Sequence, residues 1–204
     1  CSSDLLAMHP QQLQTARLRR MFFEGFTVMD IAEPLVSFDA DANADKVRAF
    51  MADRAFDRVG IRVDGLVRGY VRQEELGEGV CGQYLHPFTP ADDLVGDTAS
   101  LIDVVRSLSI NQQCFVTTLN EVVAIVALED LEKPPMRMFL FGLITLSEMV
   151  LTDLIRRRYP DNSWQSHLSE QRLAKAQQLQ QERLRRGQKP DLVDCLQYGD
   201  KGHI

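Results

Sequence analysis

Apolar and polar positions alternate in short blocks along most of this chain, and the blocks recur. Glu121 to Met136 is the clearest stretch, a β-branched run (Val122-Val123-Ala124-Ile125-Val126-Ala127) leading into an acidic helix start at Glu129-Asp130 and a Pro134-Pro135 stop. A looser copy runs from Asp64 to Leu76. Before each copy lies an amphipathic helix. Ala44 to Arg54 carries Val47, Phe50 and Met51 on one face, and a helix through Leu108, capped at Asp97-Thr98, carries Leu101, Val104, Val105 and Leu108. Short strands precede the helices at Leu35–Phe38 and at Leu94-Val95, and strands follow them at Val59–Val63 and Cys114–Thr118. Asp64-Gly65 and Leu119-Asn120-Glu121 are the hairpin turns, the first on a glycine that accepts positive φ.

Each copy therefore reads strand, helix, strand, strand, helix. The offset between copies is 59 at the first strand (Val36 to Val95) and 55 at the last acid (Glu75 to Asp130). A unit of this size cannot bury its own sheet, whereas two packed sheet to sheet can. The fold class expected is α+β, with two repeats packed sheet to sheet and helices following.

The flanks have a different character. A helix is expected over Ser3–Glu24, with Leu5, Met8, Leu13, Leu18, Met21 and Phe22 loosely periodic, Pro10 as an early break and Gly25 at its end. Met136 to Arg157 predicts a strongly apolar helix with Met136, Phe139, Leu140, Leu143, Val150 and Leu154 on one stripe, widened by Leu146 and Met149; such a stripe reads as core or dimer seam. Arg137, Glu148 and Asp153 interrupt the run, which leaves too short an uncharged stretch to span a bilayer. Beyond a break at Tyr159–Asn162 comes a Gln/Arg/Glu-rich helix over Leu168–Arg186, then a short helix capped by Asp191. The organisation expected is 1–25 N-terminal helix, 26–76 first repeat, 77–87 flexible linker, 88–133 second repeat, 134–158 apolar helix and 159–204 helical tail.

Composition narrows the function. The 204 residues are 45% hydrophobic and 25% charged, with a net charge of -6. An acidic balance argues against a nucleic-acid binder. The four cysteines and four histidines are scattered, so reduced cytosolic thiols and no metal site are expected. The polar, Gln-rich start is unlike a signal peptide, and the expected location is cytoplasmic, with no membrane partner. No Gly-x-Ser-x-Gly, Walker loop or His-Glu-x-x-His is present. Gly77-Glu78-Gly79-Val80-Cys81-Gly82 follows a short helix rather than a strand, which suits a linker better than a phosphate cradle. An enzyme is not expected.

The doubled pattern resembles a tandem pair of cystathionine-β-synthase (CBS) domains, a Bateman module. The resemblance rests on Thr27-Val28-Met29-Asp30-Ile31 leading into Leu35-Val36-Ser37-Phe38, on Val63-Asp64-Gly65-Leu66-Val67-Arg68-Gly69-Tyr70-Val71, and on Val122 to Leu131 in the second copy, about half the chain. It implies a non-catalytic sensor that takes an adenine nucleotide (AMP, ADP or ATP) or an adenosyl compound such as S-adenosylmethionine between the repeats. In the family, an Asp at the final helix start holds the ribose hydroxyls, and a Ser or Thr three residues earlier helps place phosphate. The Asp position is Asp130 here and Glu75 in the first copy. The hydroxyl position is Ala127 and Arg72, a departure in both. By the resemblance, Asp130 faces Ile31 and Val36, with Arg58 for phosphate. Glu75 faces Val95 with Gln112 and Gln113. The Asp130 cleft is the one expected to be occupied. A homodimer is implied as well. The alternative is a degenerate pair that serves as a dimerising interaction scaffold, with a protein partner on the C-terminal helices.

Overall fold

The computed structural model describes residues 10–89 and 94–204, with side chains from Thr15 onward. The described chain forms two compact units, Phe23–Phe139 and a second one built from the N-terminal helix up to Phe22 together with Leu140–Ile204.

The first unit holds both repeats. β1 is Glu33–Pro34, β2 Ser37–Asp39, β3 Arg58–Val63, β4 Leu66–Arg72, β5 His86–Pro87, β6 Leu94–Gly96, β7 Gln113–Thr118 and β8 Glu121–Ala127; α2 is Ala44–Arg54 and α3 is Leu101–Leu108. Two four-stranded sheets form, in the orders β2-β3-β4-β5 and β1-β8-β7-β6. Within each, the strand before the helix runs parallel to the strand after it, and the hairpin is antiparallel. The fourth strand is exchanged. β1, which leads into the first repeat, pairs on β8 of the second, and β5, which leads into the second, pairs on β4 of the first. Each repeat thus covers the open edge of the other, where unpaired backbone groups would otherwise be exposed.

Register shows how closely the copies match. Both hairpins carry the same shift, between Ile61 and Arg62 and between Val116 and Thr117. Asp64 and Gly65 take positive φ in one turn, Leu119 and Asn120 in the other. Ser37 lies opposite Gly60 and Leu94 opposite Phe115, so the first-strand offset is 57 (Ser37 to Leu94) and Val95 corresponds to Phe38. The expected Val36–Val95 match at 59 is corrected accordingly; Leu35 and Val36 form the crossing between β1 and β2.

Other expectations also shift. The second helix begins at Leu101, with Ser100 rather than Asp97-Thr98 as its cap, because the Ser100 hydroxyl accepts from the Asp103 N–H at 3.2 Å. Segment 77–87 is no flexible linker. It contains the 3-10 turn Cys81–Tyr84 and β5, and Cys81 is fully buried with Val47, Met51, Val59 and Ile61 in the first-repeat core. Burial pushes the Cys81 thiol pKa up. Between the sheets, Tyr70, Phe115 and Val122 are buried together, with Leu35, Phe88 and Ile125 packed on them.

In the second unit, α1 spans Pro10–Glu24; the expected break at Pro10 falls at the edge of the described residues, and Leu5 and Met8 lie outside them. Pro134-Pro135 starts α4, Pro134–Arg158, instead of stopping the segment before it. Proline lacks only an N–H that the first helical turn leaves unpaired anyway. α5 is Glu170–Arg185 and α6 is Tyr198–Lys201. Their core is Ile155, Trp164, Ala176, Val193, Cys195 and Leu196. The tail is therefore a packed element with a buried tryptophan, in a 3-10 turn (Ser163–His167) that the sequence pattern did not reveal.

The apolar stripe expected on α4 is divided. Phe139 and Leu146 are buried, whereas Leu140, Val150 and Leu154 are exposed. Among the described residues, α4 is long and apolar enough to cross a bilayer by length and composition, which corrects the expectation that its charges leave it too short.

Candidate functional site

The hairpin register brings Arg58, at the start of β3, directly opposite Arg72, at the end of β4. Both guanidinium carbons lie over the ring of Tyr70, at 5.1 and 5.9 Å from its centroid. Tyr70 is buried and held in turn by Phe115, Phe88 and His86, with centroids 5.1, 5.9 and 5.4 Å away. The aromatic cluster between the sheets thus fixes two cations side by side. Adjacent like charges repel, and only Arg72 is compensated, by Glu75 at 3.2 Å. Arg58 has no carboxylate partner among the described residues.

These two arginines line a cleft of about 440 Å³ together with Asp57, Gln73, Glu74, Gln112 and Gln113. Gln113 starts β7 as Arg58 starts β3, so both repeats contribute the corresponding position. Two side-chain atoms of the lining are buried without a partner among protein groups, Arg72 Nε and Gln113 Oε1. Such groups are costly unless satisfied. The arrangement offers two guanidinium groups, two carboxylates (Asp57 and Glu74) and amide donors and acceptors in one opening, which suits a ligand with both anionic and polar edges.

Asp130 is engaged elsewhere. It sits in the 3-10 turn Leu128–Glu132 and is 9% exposed. One carboxylate oxygen accepts from the Ala127 N–H at 2.8 Å, and the other meets Lys133 Nζ at 2.8 Å. Lys133 also donates to the Ile31 carbonyl at 2.7 Å and pairs with Glu33 on β1. Burial alone lowers the Lys133 pKa, but the hydrogen bonds to Asp130 and Glu33 outweigh it and raise the value. The corresponding place in the first repeat is built alike, where Glu75 pairs with His86 on β5 and with Arg72. The His86 contact, ahead of the burial that opposes it, holds the Glu75 carboxyl below its usual range. Each final-turn acid therefore ties down the exchanged edge strand.

Of the residues the sequence singled out, Arg58, Arg72, Gln112 and Gln113 come together, with Glu75 behind Arg72. Asp130, Ala127 and Ile31 form a second cluster around Lys133. Arg58 lines the cleft with Gln112 and Gln113, and Asp130 does not line it. The Val36 carbonyl accepts from the Gly60 N–H at 2.8 Å, and the Val95 carbonyl accepts from the Thr117 hydroxyl at 3.2 Å, so both serve strand pairing. Sequence reasoning missed Lys133, Glu33, His86 and Tyr70. Lys133 is legible as a cation three residues after Asp130; the other three matter only through strand exchange. Among the described residues, no group of three His, Cys, Asp or Glu side chains is placed to hold a metal ion.

Asp130→Ala is expected to lower stability by about 1–2 kcal/mol, since it removes a turn cap and leaves Lys133 with only Glu33 and the Ile31 carbonyl. Urea unfolding measures this, and an unchanged midpoint would show that the carboxylate holds nothing.

No family model matches the sequence, and no curated protein matches it. Solved structures that it resembles include several of CBS domains. One is the CBS domain of the bacterial CNNM/CorC family Mg2+ transporter, at 15% identity and TM-score 0.44, covering 66% of this chain and 89% of that one. A second is CbpB in complex with c-di-AMP, at 15% identity and TM-score 0.49, covering 64% of this chain and 96% of that one. A third is CBSX2 in complex with AMP, at 15% identity and TM-score 0.46, covering 57% and 97%. The strand–helix–hairpin unit is present twice with its edge strands exchanged, in an α+β architecture followed by a C-terminal helical extension.

Proposed function

We propose that this chain is a non-catalytic regulatory module that takes an adenine nucleotide or adenosyl ligand in the cleft between its repeats and signals through changes in conformation or dimerisation. The observation that carries the reading is the Arg58–Arg72 pair, a cation with no carboxylate partner among the described residues beside one whose Nε is buried without a protein partner among them, in a cleft of about 440 Å³. The family resemblance supplies the ligand class, and the cleft supplies the charge for a phosphate and amide edges for a base. Arg72, at the position where the family carries a hydroxyl residue, takes over the phosphate contact. Because Arg72 also holds Glu75, which pairs with His86 on β5, an anion drawn to Arg72 would compete with the contact that fastens the exchanged strand.

A thermal-shift series with AMP, ADP, ATP, S-adenosylmethionine and cyclic dinucleotides tests this. A ligand that binds only the folded chain at a hundredfold excess over its dissociation constant adds about 2.7 kcal/mol of stability. The shift is expected for wild type and for Asp130→Ala, and is expected to vanish in Arg58→Ala and Arg72→Ala. Millimolar ligand without any shift in wild type would sink the reading. A shift lost in Asp130→Ala but kept in both arginine variants would move the site to the Lys133 cluster.

A second reading, an interaction scaffold without ligand, is favoured by one observation, the run of exposed apolar residues Leu140, Phe141, Ile144, Val150 and Leu154 on the single helix α4.

A further inference from the structure

The exposed side of α4 is ordered about one residue. Leu140, Leu143 and Ile144 precede Ser147 by seven, four and three positions, and Val150, Leu151 and Leu154 follow it by three, four and seven. Leu140, Leu143, Ser147, Val150 and Leu154 have the alternating three- and four-residue spacing of a helix-pairing seam. Within the chain Leu140 is 46% exposed, Ile144 54%, Val150 48% and Leu154 55%, while Leu143, Ser147 and Leu151 between them are half-buried. The rest of the helix is occupied on its other side, where Ile155 packs with Trp164 and Glu148 pairs with the buried Lys201 at 2.7 Å.

We propose that this seam is where a second copy of the chain docks, helix against helix and antiparallel, with the twofold axis passing Ser147. A twofold interface must be complementary to itself. Rotation about Ser147 places Leu140 on Leu154 of the other copy, Leu143 on Leu151 and Ile144 on Val150, so every apolar position meets an apolar one. Ser147 marks the axis; its hydroxyl donates to the Ile144 carbonyl at 2.8 Å and lies 3.2 Å from the Tyr198 hydroxyl, so the Tyr198 of each copy flanks the axis. Antiparallel helix dipoles add a favourable contribution. The contact runs over about 21 Å of helix at 1.5 Å per residue, and the exposed Phe141 and Tyr198 are available to widen it. A lipid surface fits this helix less well than a second copy does. Glu148 and the Arg156–Asp194 pair lie along its length and bind the polar tail, and their entry into hydrocarbon would strip those partners. This inference does not depend on the cleft or its ligand.

The test is the oligomeric state of the full chain by sedimentation velocity over a wide concentration range, with Val150→Glu and Leu154→Glu as exposed-site variants checked for unchanged circular dichroism. A wild-type dimer is expected. Each glutamate enters twice by symmetry and meets apolar surface, so dissociation should become easier by on the order of a hundredfold or more. The double variant Leu140→Lys/Leu154→Glu sets opposite charges face to face only in the antiparallel arrangement and is expected to recover the dimer that Leu154→Glu loses. A wild-type chain that remains monomeric at every concentration, or a dimer indifferent to both glutamates, overturns the proposal. So does a monomer that floats with phosphatidylcholine–phosphatidylglycerol vesicles through this face, which would make α4 a lipid-binding element.

Discussion

Phe115→Ala is expected to be the most damaging single substitution in the repeat pair. Phe115 has no solvent exposure and lies at the centre of the cluster between the sheets, 4.9 Å from Phe88 and 5.1 Å from Tyr70, centroid to centroid. Truncating a buried phenylalanine removes its transfer free energy and leaves a cavity, together about 3–5 kcal/mol. Against a total stability of about 5–15 kcal/mol this is a large share. The cavity would open next to Tyr70, the ring against which Arg58 and Arg72 are held, so the cleft would loosen along with the core. Calorimetry should record a melting temperature lower by about 10 °C or more. A loss under about 1 kcal/mol would mean that the two sheets do not share one core.

Gly69→Ala is the second. A Cβ at Gly69 would lie 2.1 Å from the His86 carbonyl oxygen and 2.7 Å from Leu85 Cδ1. The first neighbour is backbone, so β5 itself must move. That would break the Gly69–Pro87 and Tyr70–His86 pairings and pull His86 from Glu75. The cost expected is about 1–3 kcal/mol, as for other overpacked sites. Cleavage by a nonspecific protease within residues 77–89 should rise at the same time, because the exchanged strand no longer holds that segment. The other repeat supplies the control. Ala124 occupies the corresponding place opposite Pro34 on β1 and has room for its methyl. Ala124→Gly is expected to cost only about 0.5–1 kcal/mol, from added chain freedom. Equal effects in the two repeats would contradict the close approach of β5.

Both predictions concern contacts that no local pattern announces, and this is where reading the sequence ran out. Periodicity located α2 to the residue, because a face of Val47 and Met51 follows directly after an Asn43 cap. It located both hairpins, because Asp64-Gly65 and Asn120 accept positive φ at little cost. It did not find β1 and β5. Two-residue strands carry no alternation to detect, and their partners lie in the other repeat. It also assigned Arg58 to Asp130, although the hairpin register sets Arg58 beside Arg72. A candidate site assembled from residues far apart in the chain depends on register, and a shift of one residue turns every side chain to the opposite face. The tail reads as sparse in apolar points, yet Trp164 and Cys195 close a core there that only three-dimensional packing could assemble.

By itself, then, the sequence determined the doubled strand–helix–hairpin unit, the α+β class, the turns and most helix limits. These follow from backbone preferences and the 2.0 and 3.6 residue periods, which act over a few neighbours. The tertiary structure alone decided which repeat each edge strand completes, that Asp130 caps a turn while Arg58 and Arg72 face a common cleft, and which half of the α4 stripe is left uncovered. Those depend on burial and pairing between segments tens of residues apart, where packing and hydrogen-bond satisfaction of the whole unit, rather than local propensity, choose among arrangements that a linear pattern permits equally.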